Sequence, residues 1–502
     1  MTIRASRATR CISTACAALL TAPFAAHAED KNSWYDQGDK ALKSAEKHST
    51  PKHSTARNVI LFVGDGMGIS TVTAARILSG QLQGRPGEES SLTFEEFPNV
   101  ALVKTYSINQ QTSDSAPTMT AMVTGVKTKD GILSVDKNVV RGDWSTVAGN
   151  EVTTLVELAE KKHLSTGVVS TARITHATPA ACYAHSPERD WEADSNIPEE
   201  SRKAGAKDIA RQLIEFPGDG LEVALGGGRE YFLPEAQNDP EDEGETGVRL
   251  DGRDLTAEWA ATEGAKYVWN KADFDAIDAK KTKRLLGLFE RSHLEYEIDR
   301  EKDTAGEPSL SDLTTKAIDI LSKNEKGFFL MVEGGRIDHA HHAGNARRAL
   351  TDAIAFSDAV KTALGKVNLE ETLIIVTADH SHVFTIAGYP TRGNDILGKV
   401  ISNDAHGNPA ESYSLDDNGL PYTTLSYANG PGYRGPGARP DLTDIDTTDV
   451  DYLQEALLPL GSETHAGEDV AVFATGPSAH LIRGVQEQTI SFYVIAKALG
   501  LR

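Results

Sequence analysis

The sequence predicts an α/β protein: a large, mostly parallel central sheet covered by helices on both faces. Six short apolar runs carry strand character, helical patterns stand between them, and no internal repeat or Pro/Ser linker divides the 502 residues. In order, the runs are "NVILFVG" (58–64), "STGVVST" (165–171), "LEVALGG" (221–227), "FFLMVEGG" (328–335), "TLIIVTA" (372–378) and "DVAVFATG" (469–476). Each is apolar almost throughout rather than alternating, as expected of strands buried on both faces. The stretch "EVTTLVELAEKKH" (151–163) shows the helical pattern that supplies the covering layers. From Gly388 to Pro440 the rhythm breaks into Gly-, Pro- and Asn-rich sequence such as "YANGPGYRGPGARP", which reads as a loop-rich insertion.

The first 28 residues have the form of an export signal. Arg4, Arg7 and Arg10 precede the apolar stretch "CISTACAALLTAPFAA", and Ala26-His27-Ala28 offers a cleavage site, so residues 29–502 are expected as a single mature domain. Of three cysteines, Cys11 and Cys16 leave with the signal and only Cys182 remains, which excludes an internal disulfide. The expected location is periplasmic or secreted, with no later stretch apolar enough to span a membrane. Loss of the three arginines takes the formal charge from −22 to −25. That charge disfavours nucleic acid as a partner and suggests an acidic, salt-tolerant surface.

The residues at the strand ends point to chemistry. The first run ends in Asp65-Gly66-Met67-Gly68, the fourth contains Glu333-Gly334-Gly335, and the fifth ends in Asp379-His380-Ser381-His382. Carboxyl ends of parallel strands gather in one crevice, where several carboxylates repel unless cations sit among them. The neighbouring histidines supply nitrogen donors that suit zinc. In "GGRIDHAHHAGNARRAL", Asp338 and His342 stand four apart, on one face of a helix, and His465 lies just before the last strand. Ser115, between Asp114 and Pro117 in "TSDSAPTMTAM", reads as a helix start.

These segments resemble the metal-dependent alkaline phosphatases, bacterial and animal. The resemblance runs in order through "VGDGMG", "DSAPTMTAM", "HATPAACYAH", "LGGGR", "GFFLMVEGGRIDHAHH", "VTADHSH" and "ETHAGEDVAVFATGP". It implies a phosphate monoester hydrolase of broad specificity, acting through a phosphoserine on Ser115, with Arg189 gripping phosphate oxygens and His339 contacting substrate. Two zinc ions per chain are implied, one on Asp338, His342 and His465, the other on Asp65, Asp379 and His380, with Ser115 approaching the second. One magnesium ion is implied on Asp65, Thr178 and Glu333.

His176 and His339 stand where well-known bacterial members carry Asp and Lys, and animal members carry histidine at both, so His176 belongs to the shell of the third metal. The animal forms also imply calcium, near Glu241, Glu290 and Glu307. The family pairs as homodimers through a crown, which here corresponds to 388–440. Met119 stands where a sulfatase carries Arg, which counts against that activity. Diesterases generally lack the "EGGRIDHAHH" and "DSAPTMTA" contexts together with an arginine like Arg189. A metal-sequestering protein would need the ligands but neither Ser115 nor Arg189.

Overall fold

The structure is a computed structural model that describes residues 55–218, 220–437 and 439–502, so the export segment 1–28 lies outside the described residues. Among the described residues fifteen strands come in chain order: β1 (Asn58–Gly64), β2 (Asn99–Lys104), β3 (Ser165–Arg173), β4 (Val223–Gly227), β5 (Ala265–Val268), β6 (Arg284–Leu288), β7 (Phe328–Gly334), β8 (Thr372–Ala378), β9 (Ser381–His382), β10 (Phe384–Ile386), β11 (Leu425–Gly430), β12 (Ala456–Pro459), β13 (His465–Ala466), β14 (Val470–Thr475) and β15 (Gly484–Glu487). All six apolar runs form strands. Ten strands make one sheet in the order β15-β2-β14-β8-β1-β7-β3-β4-β6-β5.

Burial explains why these runs lack alternation. Val59 to Val63 of β1 are each 0% exposed, and because successive side chains point to opposite faces, both faces must be covered. One helix group, Ile69–Leu82, Leu310–Leu321, Arg336–His342 and Ala346–Lys366, packs together. A second comprises Ser115–Thr124, Leu155–Lys161, Ala177–Ala180 and Ile490–Ala498. The expected helix at 151–163 is shorter, because Thr154 caps it by accepting from Glu157 N while Glu157 returns a bond to Thr154 N.

One strand departs from the parallel rule. β14 runs antiparallel to both β8 and β2, between which it lies. Its apolar sequence records burial, and burial does not encode direction. Outside the main sheet, β11 of the 388–440 insertion pairs with β10 and β12, and β13 pairs antiparallel with β9.

Register positions the site. Gly64 stands opposite Gly334 on one side and Ala378 on the other. The next residues on β1 and β8, Asp65 and Asp379, therefore leave the sheet side by side, while Glu333 sits one position back opposite Val63. The β13–β9 pairing sets His465 opposite His382 over the same strand ends.

Candidate metal centre

Asp65 comes directly after β1, in a turn that only a small residue can make. Gly66 has φ +66°, and a Cβ there would lie 2.3 Å from His382 Nε2. Its amide donates to Asp379 Oδ1 at 3.0 Å, tying the two strand ends together. His380 Nε2 lies 3.3 Å from Asp65 Oδ1 and 3.2 Å from Asp379 Oδ2, and all three residues are fully buried. Burial, followed by repulsion from Asp379, raises Asp65, and burial holds His380 well below the usual imidazole range. Asp65 Oδ2 and His380 Nδ1 are buried without a hydrogen-bond partner.

Ser115 opens the helix Ser115–Thr124, whose residues are all buried and which ends at Gly125 with φ +74°. The N-cap is Asp114, which accepts from Ala116 N at 3.4 Å. Ser115 is thus the first helical residue, and its hydroxyl is not consumed in capping. Its Oγ lies 3.4 Å from Asp65 Oδ1 and 3.2 Å from His380 Nε2. Asp114 also accepts from Arg189 Nη1 at 2.9 Å, while Arg189 Nη2 donates to His176 Nε2 at 2.9 Å. Neither Glu188 nor Asp190 takes this guanidinium; Glu188 pairs with Arg141.

Beside this group, Asp338, His342 and His465 converge. His342 Nδ1 lies 2.5 Å from the Glu463 carbonyl and His465 Nδ1 2.7 Å from the Ser113 carbonyl. A carbonyl only accepts, so both Nδ1 atoms donate and each ring turns its Nε2 toward Asp338. Those two nitrogens face each other at 3.1 Å, each 3.4 Å from Asp338 Oδ1. Two ring nitrogens and a carboxylate oxygen therefore converge on one point. A cation that takes nitrogen and carboxylate donors relieves that arrangement, and zinc fits it.

His382, the second histidine of the Asp379-His380-Ser381-His382 segment, stands in the same cluster. Its Nδ1 bonds Glu463 Oε2 at 2.5 Å and its Nε2 bonds Asp338 Oδ1 at 2.7 Å. With a carboxylate at each nitrogen it donates twice and cannot ligate. Burial opposes its charge, but the bonds to Asp338 and Glu463 raise it to about 9. His341 stacks on it with ring centroids 4.8 Å apart and bonds Tyr427 Oη at 2.7 Å, so the 388–440 insertion reaches the ligand helix.

A third group joins Asp65, Glu333 and His176. Ser170 Oγ donates to Glu333 Oε2, whereas Glu333 Oε1, Thr178 Oγ1 and His176 Nδ1 are buried and unpartnered. Burial raises Glu333 to about 7. Because His176 Nε2 accepts from Arg189, its Nδ1 bears the proton and offers the group a donor rather than a lone pair. His339 lies alongside, its ring centroid 5.4 Å from that of His176 and 4.1 Å from that of His293.

The sequence model of the alkaline phosphatase family matches residues 56–501. The tissue-nonspecific alkaline phosphatase isozyme of Gallus gallus is 45% identical, over 94% of this chain and 89% of its own. The alkaline phosphatase of Gadus morhua is also 45% identical, over 93% of this chain and 96% of its own. The chain belongs to the alkaline phosphatase family.

Solved alkaline phosphatases share its fold. That of Thermus thermophilus superposes with a TM-score of 0.64 at 26% identity, covering 91% of this chain and 94% of its own. That of the Antarctic bacterium TAB5 gives 0.60 at 25% identity, covering 89% and 99%. A TAB5 alkaline phosphatase in which aspartate replaces a histidine is described with Mg bound in its M3 site.

Every zinc and magnesium ligand expected from the resemblance to alkaline phosphatases lies at this crevice, with Ser115, Arg189 and His339 around it. The acidic loops differ. Glu241 and Glu290 converge with Asp303, whereas Glu307 is close enough to feel the charges of Glu290 and Asp303 but is not in that group and accepts from Glu295 N at 3.2 Å. Burial, then the charges of Glu241 and Asp303, raises Glu290 to about 8. The acid-rich loops carry no periodic pattern to align, so spacing could not choose between Asp303 and Glu307.

Proposed function

We propose that this alkaline phosphatase hydrolyses phosphate monoesters through a phosphoserine on Ser115. The observation that carries the reading is Ser115 Oγ, free of its helix cap and set between Asp65 and His380, with Arg189 anchored beside it. Arg189 is charged at every working pH and offers a planar fork to two phosphoryl oxygens, and Asp114 keeps that fork aimed. Ser115 Oγ gives its proton to solvent water and forms the new bond to phosphorus, while the bond from phosphorus to the ester oxygen breaks and that oxygen leaves as the alcohol, taking a proton from water. Water then forms a bond to phosphorus, the bond to Ser115 Oγ breaks, and the serine proton and inorganic phosphate are restored. His339 borders the phosphate position next to His176.

Asp338, His342 and His465 would hold one zinc ion, Asp65, Asp379 and His380 a second, and Asp65, Thr178 and Glu333 a magnesium ion. When bound, paired zinc supplies Lewis-acid stabilisation of the attacking and leaving oxygens of an in-line displacement. The unpartnered oxygens of Asp65, Thr178 and Glu333 support the third site, and the Glu241, Glu290 and Asp303 cluster supports calcium.

Residues 1–28 as an export signal, 29–502 as the mature single domain and 388–440 as a crown complete the reading, with the enzyme periplasmic or secreted. No helix among the described residues is long and apolar enough to cross a membrane. A homodimer is supported by Leu457 and Leu458 on edge strand β12, 76% and 60% exposed. Light scattering checks it: a monomeric mass would reject the dimer.

The deciding experiment compares a chromogenic phosphate monoester with a diester and a sulfate ester, on the zinc- and magnesium-loaded protein and its Ser115→Ala variant. The monoester is expected to dominate, and Ser115→Ala to lose more than about 100-fold in kcat with zinc content unchanged. Near-full turnover in Ser115→Ala would reject the nucleophile.

A further inference from the structure

Glu463 is buried, with its side chain 0% exposed, yet it is itself no member of the ligand groups. Its four polar atoms are all engaged with the surroundings of one of them. Its amide donates to the His342 carbonyl at 2.9 Å, and its carbonyl takes the His342 Nδ1 proton at 2.5 Å. Its carboxylate accepts from Val383 N at 2.9 Å and from His382 Nδ1 at 2.5 Å, and His382 passes the contact on to Asp338 Oδ1 at 2.7 Å. One residue thus grips both helix-borne ligands from behind. The segment that carries it reaches His465 two residues later.

We propose that Glu463 is a positioning residue for the first zinc site, fixing His342 through its backbone and Asp338 through His382. This rests on the reading that Asp338, His342 and His465 hold zinc. The physical case is orientation. With Glu463 accepting at Nδ1, His382 is held so that an N–H faces Asp338 and leaves the other carboxylate lone pairs for a cation. Remove the carboxylate and the ring is free to turn or to present a bare nitrogen to Asp338. The ligand then competes with its own neighbour for direction. The backbone bonds to His342 do not depend on the side chain, so substitutions of the side chain isolate the His382 route.

The test is zinc occupancy measured against a competing chelator on full-length Glu463→Ala, Glu463→Gln, His382→Ala and the Glu463→Gln/His382→Ala double variant, with the visible spectrum of each cobalt-substituted protein. Glu463→Ala is expected to weaken one of two zinc ions about 10- to 100-fold and to alter the cobalt bands, the other ion being retained. Excess zinc should recover much of kcat. Glu463→Gln keeps the shape but turns an N–H₂ toward one of its two donors, and a smaller loss of affinity is expected. In the double variant the loss should match that of His382→Ala alone. Wild-type zinc affinity in Glu463→Ala overturns the proposal, as does additivity of the two substitutions. Should Glu463→Ala fail to fold, wild-type affinity in Glu463→Gln overturns it equally. Asp338→Ala serves as the separate control: if it keeps both zinc ions, the assignment of the site itself is wrong.

Discussion

Among single residues, those that bear on the proposed chemistry were legible as members of motifs, but which neighbours they hold was not. Ser115, Asp338 and His465 stand in distinctive contexts; His382 and Glu463 acquire their roles from each other across 81 positions of chain. His382 was legible as a strand-end histidine with i+2 spacing from His380, which in an extended segment returns a side chain to the same face, but its bond to Glu463 was not.

His176 yields the first prediction at this scale. Replacing its proton-bearing Nδ1 by an anionic oxygen suits a hard cation. His176→Asp should lower the magnesium concentration for half-maximal activity by about tenfold while retaining hydrolysis. Magnesium titrations of the zinc-loaded proteins check it, and identical midpoints would show that His176 does not tune the third metal.

Glu307 yields the second. It is 1% exposed with Oε1 unpartnered, and burial raises it to about 9. The folded protein therefore keeps a proton there that the unfolded chain gives up near its ordinary value, about 4.3. Such a group favours the fold in acid, and that contribution falls away as pH rises above the unfolded value and is lost by about pH 9. An amide mimics the protonated acid, so Glu307→Gln should flatten the fall of melting temperature between about pH 5 and 9. An unchanged slope would exclude Glu307 as its source.

At the level of elements, strand identity followed from apolar content, but strand direction did not. Nothing in "DVAVFATG" marks β14 as antiparallel, and β2, β5, β6 and β15 escaped notice because they are short or lie toward the sheet's flanks, where burial is incomplete. Strand ends were more informative than strands, because register there sets Asp65 level with Asp379. The turn that delivers Asp65 is the element-scale prediction. In Gly66→Ala the positive φ alone costs about 1–2 kcal/mol. The added Cβ also pushes at His382, 2.3 Å away, and so at Asp338 behind it. Activity is expected to fall at least tenfold and zinc content with it; calorimetry and elemental analysis check both. Full zinc content at wild-type activity would mean the turn has slack that the geometry denies.

For the molecule as a whole, the parallel α/β class was readable because both faces of the central strands exclude water, whereas the packing of the acidic loops was not. The candidate ligands run from Asp65 to His465: the group of Asp65, His176 and Glu333 needs the chain through residue 333, whereas the group of Asp338, His342 and His465 needs it through residue 465. The interposed position of β14 makes this a matter of timing. Among the described residues β2 pairs in the sheet with β14 and β15, so a strand made early waits for partners made much later. Until residues 470–487 emerge, β8 also offers an unpaired flank, and open apolar edges recruit other chains. A chain truncated after residue 469 should therefore aggregate rather than persist as an inactive monomer, which light scattering after refolding would reveal. A soluble truncated monomer would refute it. This open interval would keep the nascent chain dependent on holdase chaperones until residues 470–487 arrive.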